Sequence, residues 1–146
     1  MYVEDMPKAA RARLVTIAID ANLIEAAKLL TSGIDIVVAR DRDGALQGVV
    51  TKTDVVRQIS TCQGAACHAP VSSVMTRDVV LCQGSDRLED VSERMKARHL
   101  KNIPVVDGEN RPVGLLTARA VLRVLLGAAE HEEAQLVDYV KGVGYR

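Results

Sequence analysis

The chain has 146 residues, 48% of them hydrophobic, 2% aromatic and 26% charged, and its 19 basic residues balance its 19 acidic ones. This is the composition of a globular protein, and its zero net charge and lack of Phe and Trp argue against nucleic-acid binding by a basic surface or by base stacking. No apolar run reaches the roughly 18 residues of a membrane span and the N-terminus lacks a secretory signal, so we expect a cytoplasmic protein with no membrane partner.

The first half of the chain predicts one β-α-β-β-α unit. Its elements are, in chain order, a strand over 14–19, a helix over 23–30, a strand over 36–39, a strand over 46–51 and a short helix starting near residue 54. Asp20 or Asn22 is the expected N-cap of the first helix, and Gly33 ends it because glycine adopts a left-handed backbone readily. The inner face of the second helix is predicted to consist of Val55, Val56 and Ile59.

The second half of the chain repeats the first at an offset of 66 residues. Residues 48–59 (GVVTKTDVVRQI) lie over 114–125 (GLLTARAVLRVL), with identical or aliphatic residues at most positions. Upstream at the same offset, DIVVARD (35–41) lies over KNIPVVD (101–107). The second unit therefore has the same predicted elements: a strand over 79–82, a helix over 85–98, a strand over 103–106, a strand over 113–117 and a helix over 120–126.

This repetition predicts an α+β fold in which two units pack sheet to sheet with pseudo-two-fold symmetry. One unit of about sixty residues buries too little surface to be stable alone, and packing two open sheet faces together corrects this. The predicted boundaries are an N-terminal arm or short helix over 1–13, a first repeat over 14–60, a linker over 61–73, a second repeat over 74–126 and a C-terminal helical tail over 127–146.

Neither a metal site nor a catalytic centre is predicted from the cysteines and histidines. Cys62, Cys67 and Cys82 are odd in number, and their spacing matches no common zinc pattern, so we expect reduced thiols. No two histidines stand at helical metal-binding spacing, and no nucleophile–base pair is evident. The histidines are His68, His99 and His131. His99 stands just before the predicted strand over 103–106 and is interpreted as a polar residue of the helix end, with a position facing a cleft as the alternative.

The segment from Gly48 to Asp54 (GVVTKTD) places a strand end directly before a helix start. The first turn of a helix offers free N–H groups and the positive end of the helix dipole to a phosphate. Thr51 and Thr53 add hydroxyl donors, and the Asp54 carboxylate can accept hydrogen bonds from two ribose hydroxyls. Together these groups suit a nucleotide. The alternative is purely structural, since Thr51-x-x-Asp54 is also the pattern of an N-terminal capping box.

The repeated unit resembles the CBS domain, a module named after cystathionine β-synthase that occurs in tandem pairs. The resemblance covers residues 12–126 and rests on VMTRDV (74–79), IPVVD (103–107), the Gly-h-h-Thr turn (114–117) and GVVTKTD (48–54). It implies a non-catalytic regulatory module, without a required cofactor, that binds an adenosine-type ligand between the repeats. The ligands implied are AMP, ADP, ATP, S-adenosylmethionine or NAD, with AMP and ATP foremost. It also implies a flat homodimer and, for a stand-alone module of this length, a separate effector protein as partner.

The resemblance also assigns roles to residues of the first cleft. It implies that Asp54 holds the ribose and that Thr51 and Thr53 contact ribose or phosphate. The adenine is expected against Thr76, Val80, Leu81 and Leu100. Lys101 is a phosphate counter-charge or, alternatively, a solvated surface lysine. Its counterpart Asp35 disfavours a highly charged ligand in the second cleft.

The second cleft departs from the family pattern and is expected to be degenerate. The motif there runs Thr117-Ala-Arg119-Ala120, so Ala120 stands where the ribose carboxylate belongs. Loss of such a charge-assisted acceptor costs about 1.5–3 kcal/mol, or about ten- to a hundred-fold in affinity. Arg119 suits a phosphate but is equally well a solvated helix residue. The alternative for the whole chain is a structural or dimerisation CBS module that binds no nucleotide.

Overall fold

The computed structural model describes residues 1–31, 33–61 and 68–127. The predicted order β-α-β-β-α, twice, is confirmed. The first repeat contains β1 (Thr16–Ala18), α1 (Leu23–Leu29), β2 (Ile36–Arg40), β3 (Leu46–Thr51) and α2 (Lys52–Thr61). The second contains β4 (Cys82–Gln83), α4 (Leu88–Ala97), β5 (Asn102–Val106), β6 (Pro112–Thr117) and the helical residues 118–127, labelled α5; the short α3 (Val71–Val74) precedes it. Cys62, Cys67 and the predicted tail beyond residue 127 lie outside the described residues.

The two three-stranded sheets have the same topology and the same register. Their strand orders are β1-β2-β3 and β4-β5-β6, with the first pair parallel and the second antiparallel in each sheet. Ala39 pairs with Gly48, and 66 residues later Val105 pairs with Gly114. A register shift follows both Ala39 and Val105. The repeat seen in the sequence therefore extends to the individual strand pairing.

The buried apolar side chains form three layers, because successive side chains of a strand point to opposite faces of its sheet. In β2, Val37 and Ala39 pack against the helices of the first repeat, whereas Ile36 and Val38 face the layer between the sheets. Residues of both repeats meet in that layer, among them Ile36, Val38, Leu46, Val49, Val106 and Leu115. The predicted sheet-to-sheet packing is thereby confirmed.

The segment that precedes each repeat packs against the core of the other repeat. Val3 and Met6, in and just after a 3₁₀ turn over Val3–Asp5, are buried in the helix-side core of the second repeat. Val71 and Met75 are buried in the helix-side core of the first repeat. Each repeat is therefore covered by the segment that precedes the other, and the two cores depend on one another.

The predicted inner face of α2 is wrong at two of its three positions. Val55 is buried, but Val56 and Ile59 are 65% and 53% exposed. The helix begins at Lys52, earlier than predicted, and hydrogen bonds of the Asp54 carboxylate fix its rotation so that residues 54, 55 and 58 face inward. Val56 and Ile59 of α2, like Leu122 and Leu126 of α5, remain exposed on the outward faces of their helices.

Two smaller expectations are resolved by the structure. Asn22, not Asp20, caps α1, because its side-chain oxygen accepts a hydrogen bond from Glu25 N at 3.1 Å. The second-repeat helix begins at Leu88, three residues after the predicted start. Within the described residues, no helix has the length and apolar character needed to cross a membrane.

Candidate ligand-binding site

A cleft of about 890 Å³ lies between the two repeats. Its walls are the end of β3 with the first turn of α2, the segment 76–80, and the turn 99–102 that leads into β5. Seven of the eight residues predicted for this cleft line it: Thr51, Thr53, Asp54, Thr76, Val80, Leu100 and Lys101. Leu81 does not line it and packs in the apolar layer between the sheets.

Asp54 is the buried charged residue at the centre of this wall. Its side chain is 9% exposed, and its Oδ2 accepts hydrogen bonds from Thr51 N at 2.9 Å and from Thr51 Oγ1 at 3.1 Å. Its Oδ1 faces the second repeat, where Thr76 Oγ1 donates to it at 3.4 Å. Arg57 Nη1 lies 3.9 Å from the same oxygen. A carboxylate has about four acceptor positions, so Oδ1 retains capacity for a ligand hydroxyl.

The capping box proposed as the structural alternative is formed. Asp54 N donates to Thr51 Oγ1 at 3.3 Å, and Thr51 N donates to the Asp54 carboxylate in return. Capping uses Oδ2, whereas the oxygen turned towards the other repeat is Oδ1. The two roles of Asp54 are therefore compatible, because each uses a different oxygen.

A close backbone contact holds the second repeat against the end of β3. Val49 N donates to Thr76 O at 3.0 Å, and Thr76 N donates to Val49 O at 2.8 Å. The contact requires glycine at the preceding position, because a Cβ on Gly48 would lie 2.7 Å from Thr76 O and 2.8 Å from Met75 Sδ. Gly48 thus allows the strand of one repeat and the entry segment of the other to form a single wall.

Charges around the cleft balance. The charged lining residues are Asp35, Asp54, Asp78, Lys52, Arg57 and Lys101. Lys52 Nζ lies 3.3 Å from Asp35, and Arg98, outside the lining, lies 3.0 Å from Asp78. Among the residues that the structure describes, Lys101 has no carboxylate within salt-bridge distance. Its ammonium is the cation available to an anionic ligand.

Sequence reasoning assigned no site role to four polar residues that line the cleft: Lys52, Arg57, Asp78 and Asn102. Asp35, expected at the second cleft, lines both clefts. Arg57 was visible as one of the identities between the repeats, with Arg123 as its counterpart. His99 had two interpretations, a residue facing a cleft and a polar residue of the helix end, and the structure places it in the lining of the cleft. Its counterpart at the 66-residue offset is Gly33.

The pseudo-symmetric second cleft is much smaller, at about 60 Å³. Thr117 and Asp35 line it, whereas Arg119 and Ala120 do not. Thr117 Oγ1 accepts a hydrogen bond from Ala120 N at 3.1 Å, which is the half of the capping box that survives without a carboxylate. Of the three residues predicted for this site, the structure places only Thr117 at the cleft.

The described part of the chain contains no group of three His, Cys, Asp or Glu side chains placed to hold a metal ion. Cys82 is buried, and its Sγ lies 3.7 Å from Pro104 O. Burial raises the pKa of the Cys82 thiol to about 12, with Asp86 adding to the rise and Arg94 opposing it. Such a thiol is un-ionised at neutral pH and is a poor nucleophile.

The chain is similar to several curated proteins, one of which is named as a CBS domain-containing protein. The chain is 30% identical over 114 residues to inosine-5'-monophosphate dehydrogenase of Methanocaldococcus jannaschii, covering 75% of this chain and 21% of that protein. It is 29% identical over 104 residues to the CBS domain-containing protein YhcV of Bacillus subtilis, covering 71% and 73%. The chain spans about a fifth of the length of the first curated relatives it matches.

Solved structures have the same fold. A CBS-domain containing protein from Agrobacterium tumefaciens, ATU1752, has a TM-score of 0.71 and 28% identity, covering 85% of this chain and 92% of its own. The CBS domain pair of protein MJ0100, in complex with 5'-methylthioadenosine and S-adenosyl-L-methionine, has a TM-score of 0.71 and 25% identity, covering 88% and 98%. The CBS domain model itself matches residues 3–61 and 71–127. Matched in both halves, the chain belongs to the CBS domain family and carries two CBS domains.

Proposed function

We propose that the chain is a non-catalytic regulatory module that binds an adenosine-type ligand, AMP foremost, in the large cleft. The observation that carries the proposal is the buried Asp54 carboxylate, whose Oδ1 is turned towards the opposite wall of an open cleft of about 890 Å³. A buried carboxylate with acceptor capacity suits the paired hydroxyls of a ribose. The MJ0100 pair, crystallised with two adenosine compounds, supports this ligand class.

Charge favours a ligand with few phosphates. Three carboxylates and three cations line the cleft, and only Lys101 among those cations is free of an ion pair within the described residues. A triphosphate would face the carboxylates of Asp35 and Asp78 with no matching excess of positive charge. We therefore expect AMP to bind more tightly than ATP, although ATP remains in the same ligand class.

Size restricts binding to one site per chain. Small-molecule sites commonly enclose about 300–1,000 Å³, and the large cleft falls within this range. The second cleft, at about 60 Å³, lies far below this range. We propose that the second cleft, with Ala120 in its helix cap, stays free of nucleotide.

The ligand-binding proposal is tested by calorimetric titration of AMP, ADP, ATP and S-adenosylmethionine. Asp54→Asn keeps the shape of the side chain but removes its charge, and we expect it to weaken AMP binding by about ten- to a hundred-fold. Asp43→Ala, in the exposed turn between β2 and β3, is the matched control and should bind like the wild type. Wild-type protein that binds none of the four compounds, or an Asp54→Asn variant that binds as tightly as wild type, contradicts the proposal.

We also propose that the outward face of α2 and α5 forms a homodimer interface. Val56, Ile59, Leu122 and Leu126 are each about half exposed or more, at helical spacing on the two repeat-related helices, and exposed apolar side chains repeated in this way favour burial against a second copy of the chain. Val56→Lys should shift the sedimentation coefficient to that of a monomer. Val113→Lys, at an exposed valine of β6, should leave it unchanged.

The second candidate is a structural or dimerisation module that has lost its ligand. It is favoured by the complete capping box, which accounts for Thr51 and Asp54 without any nucleotide. The ultraviolet spectrum of the purified protein separates the two, since three Tyr and no Trp give weak protein absorbance and bound adenine absorbs near 260 nm. Under either function, we propose a cytoplasmic location and a separate effector protein as the recipient of the signal.

A further inference from the structure

One residue on the cleft wall occupies a backbone position that normally takes glycine. Helix α4 ends in a Schellman motif, in which Leu100 N donates to Met95 O at 2.9 Å and His99 N donates to Lys96 O at 3.2 Å. His99 holds the left-handed position of this motif, with φ of 52°. The residue aligned with it at the 66-residue offset is Gly33, which also has a positive φ, of 86°, in a turn that follows the earlier end of α1 at Leu29. Residues with a side chain rarely adopt this backbone conformation, because their Cβ atom comes too close to the backbone, whereas glycine adopts it freely.

The His99 side chain has no packing role that accounts for its presence in this turn. His99 is exposed, so its ring contributes little to the core. It lies where the ligand cleft meets an apolar pocket of about 400 Å³ between α4 and α5, and it lines both. Backbone strain that packing does not require is typical of functional positions. These observations favour a role for His99 in contacting the ligand of the cleft.

Three pairs of repeat-related positions differ in a way that favours the large cleft. The large-cleft residues and their counterparts are Asp54 and Ala120, His99 and Gly33, and Lys101 and Asp35. Gly33 and Asp35 line the small cleft, and Asp35 lines the large cleft as well, so two of these pairs compare the equivalent walls of the two clefts. On that wall the large cleft has two side chains with nitrogen donors, His99 and Lys101. At the equivalent positions the small cleft has Gly33, which has no side chain, and the carboxylate of Asp35.

We propose that His99 is a ligand-contacting residue whose imidazole N–H donates a hydrogen bond to the phosphate of a nucleotide in the large cleft, beside the Lys101 ammonium. The proposal rests on the function proposed above and adds a determinant of its specificity. Imidazole carries at least one N–H in both of its protonation states, so the contact does not depend on a charge at His99. Asp54 on the first repeat then holds the ribose, and residues 99 and 101 of the second repeat hold the phosphate.

The variant His99→Gly separates this role from a structural one. Glycine relieves the left-handed backbone, so we expect the melting temperature of the ligand-free protein to rise by about 2–5 °C. The same variant should bind AMP about ten- to a hundred-fold more weakly, while its affinity for adenosine, which lacks the phosphate, should change less than about two-fold. A residue that merely supports the fold would show loss of stability and an equal loss for both compounds.

Gly33→Ala is the matched control, because no atom lies within 4 Å of the added Cβ and only the backbone strain changes. It should lower the melting temperature by about 2–5 °C and leave AMP affinity as in the wild type. If wild type binds AMP and His99→Gly binds it equally well, or loses AMP and adenosine affinity to the same degree, the role of His99 is overturned and the proposed function stands. If wild type binds neither compound, both are overturned.

Discussion

Replacing Gly48 with alanine is expected to destabilise the chain far more than the same change at its repeat counterpart, Gly114. The added Cβ on Gly48 would lie 2.7 Å from Thr76 O and 2.8 Å from both Cγ and Sδ of Met75. Real Cβ atoms do not approach so closely, and Met75 is buried, so the backbone of residues 75–76 must move. At Gly114 the nearest atom is Val105 Cβ at 3.7 Å, an ordinary van der Waals contact.

The size of the difference follows from these contacts. Overpacking a core position costs about 1–3 kcal/mol, and weakening the two backbone hydrogen bonds between Val49 and Thr76 adds about 1 kcal/mol. We therefore expect Gly48→Ala to lower the free energy of unfolding by about 2–4 kcal/mol. Alanine is favoured over glycine within a strand by roughly 0.5–1 kcal/mol, so Gly114→Ala should be neutral or slightly stabilising.

Urea unfolding followed by far-ultraviolet circular dichroism measures both variants, since the chain has no Trp for fluorescence. A lower midpoint with an unchanged slope is expected for Gly48→Ala, because the change acts on stability and not on the surface exposed by unfolding. Movement of Thr76 should also weaken AMP binding in that variant. Equal midpoints for Gly48→Ala and Gly114→Ala would refute the close approach of the two repeats at β3.

Two titratable side chains give expectations that are checked in solution. Burial raises the pKa of the Cys82 thiol to about 12, so this thiol should react slowly in the folded chain. In a Cys62→Ser/Cys67→Ser background, an aromatic disulfide reagent at about pH 8 should leave the folded chain unlabelled and label it promptly in urea. Rapid labelling of the folded chain would contradict the burial of Cys82. Hydrogen bonds from the backbone N–H of Arg111 lower the pKa of Asp107. Its contribution to stability is therefore full above about pH 4 and is lost as pH falls through the folded-state pKa, so Asp107→Asn should flatten the acid side of the urea-midpoint profile.

The repeat architecture was predictable because two copies of one pattern must fold alike. An offset of 66 residues aligns Gly48 with Gly114 in the sequence, and in the structure both glycines pair at the same register with Ala39 and Val105. Thr51 and Asp54 followed from the local pattern, since they mark the point where a strand gives way to a helix. Local chemistry is enough to place such residues on one turn. The cleft residues of the second repeat were assigned only through the resemblance to the CBS domain.

The rotation of α2 was not predictable from apolar residues alone. Val55, Val56 and Ile59 lie within about 100° of one another around a helix of 3.6 residues per turn, so their pattern predicts a single inner face. The structure instead turns residues 54, 55 and 58 inward, with the Asp54 carboxylate hydrogen-bonded to Thr51 and Thr76. The hydrophobic pattern likewise did not show that Val3 belongs to the core of the second repeat, because this contact joins segments far apart in the chain. Tertiary contacts of this kind leave no periodic trace in the sequence.

The same limit applies to His99. Its alignment with Gly33 is visible in the sequence, but the alignment acquires a meaning only when both residues are found at positive φ on corresponding walls of two clefts. A histidine at a helix end is otherwise an ordinary polar residue.

The central claim is that one cleft of the pair binds an adenosine-type ligand through Asp54. A crystal structure of the wild-type chain grown with AMP tests it most directly. We expect one AMP per chain in the large cleft, with its ribose hydroxyls within hydrogen-bond distance of Asp54 Oδ1, and no nucleotide beside Thr117. Nucleotide in the small cleft, or a large cleft that stays empty at saturating AMP, would contradict the account.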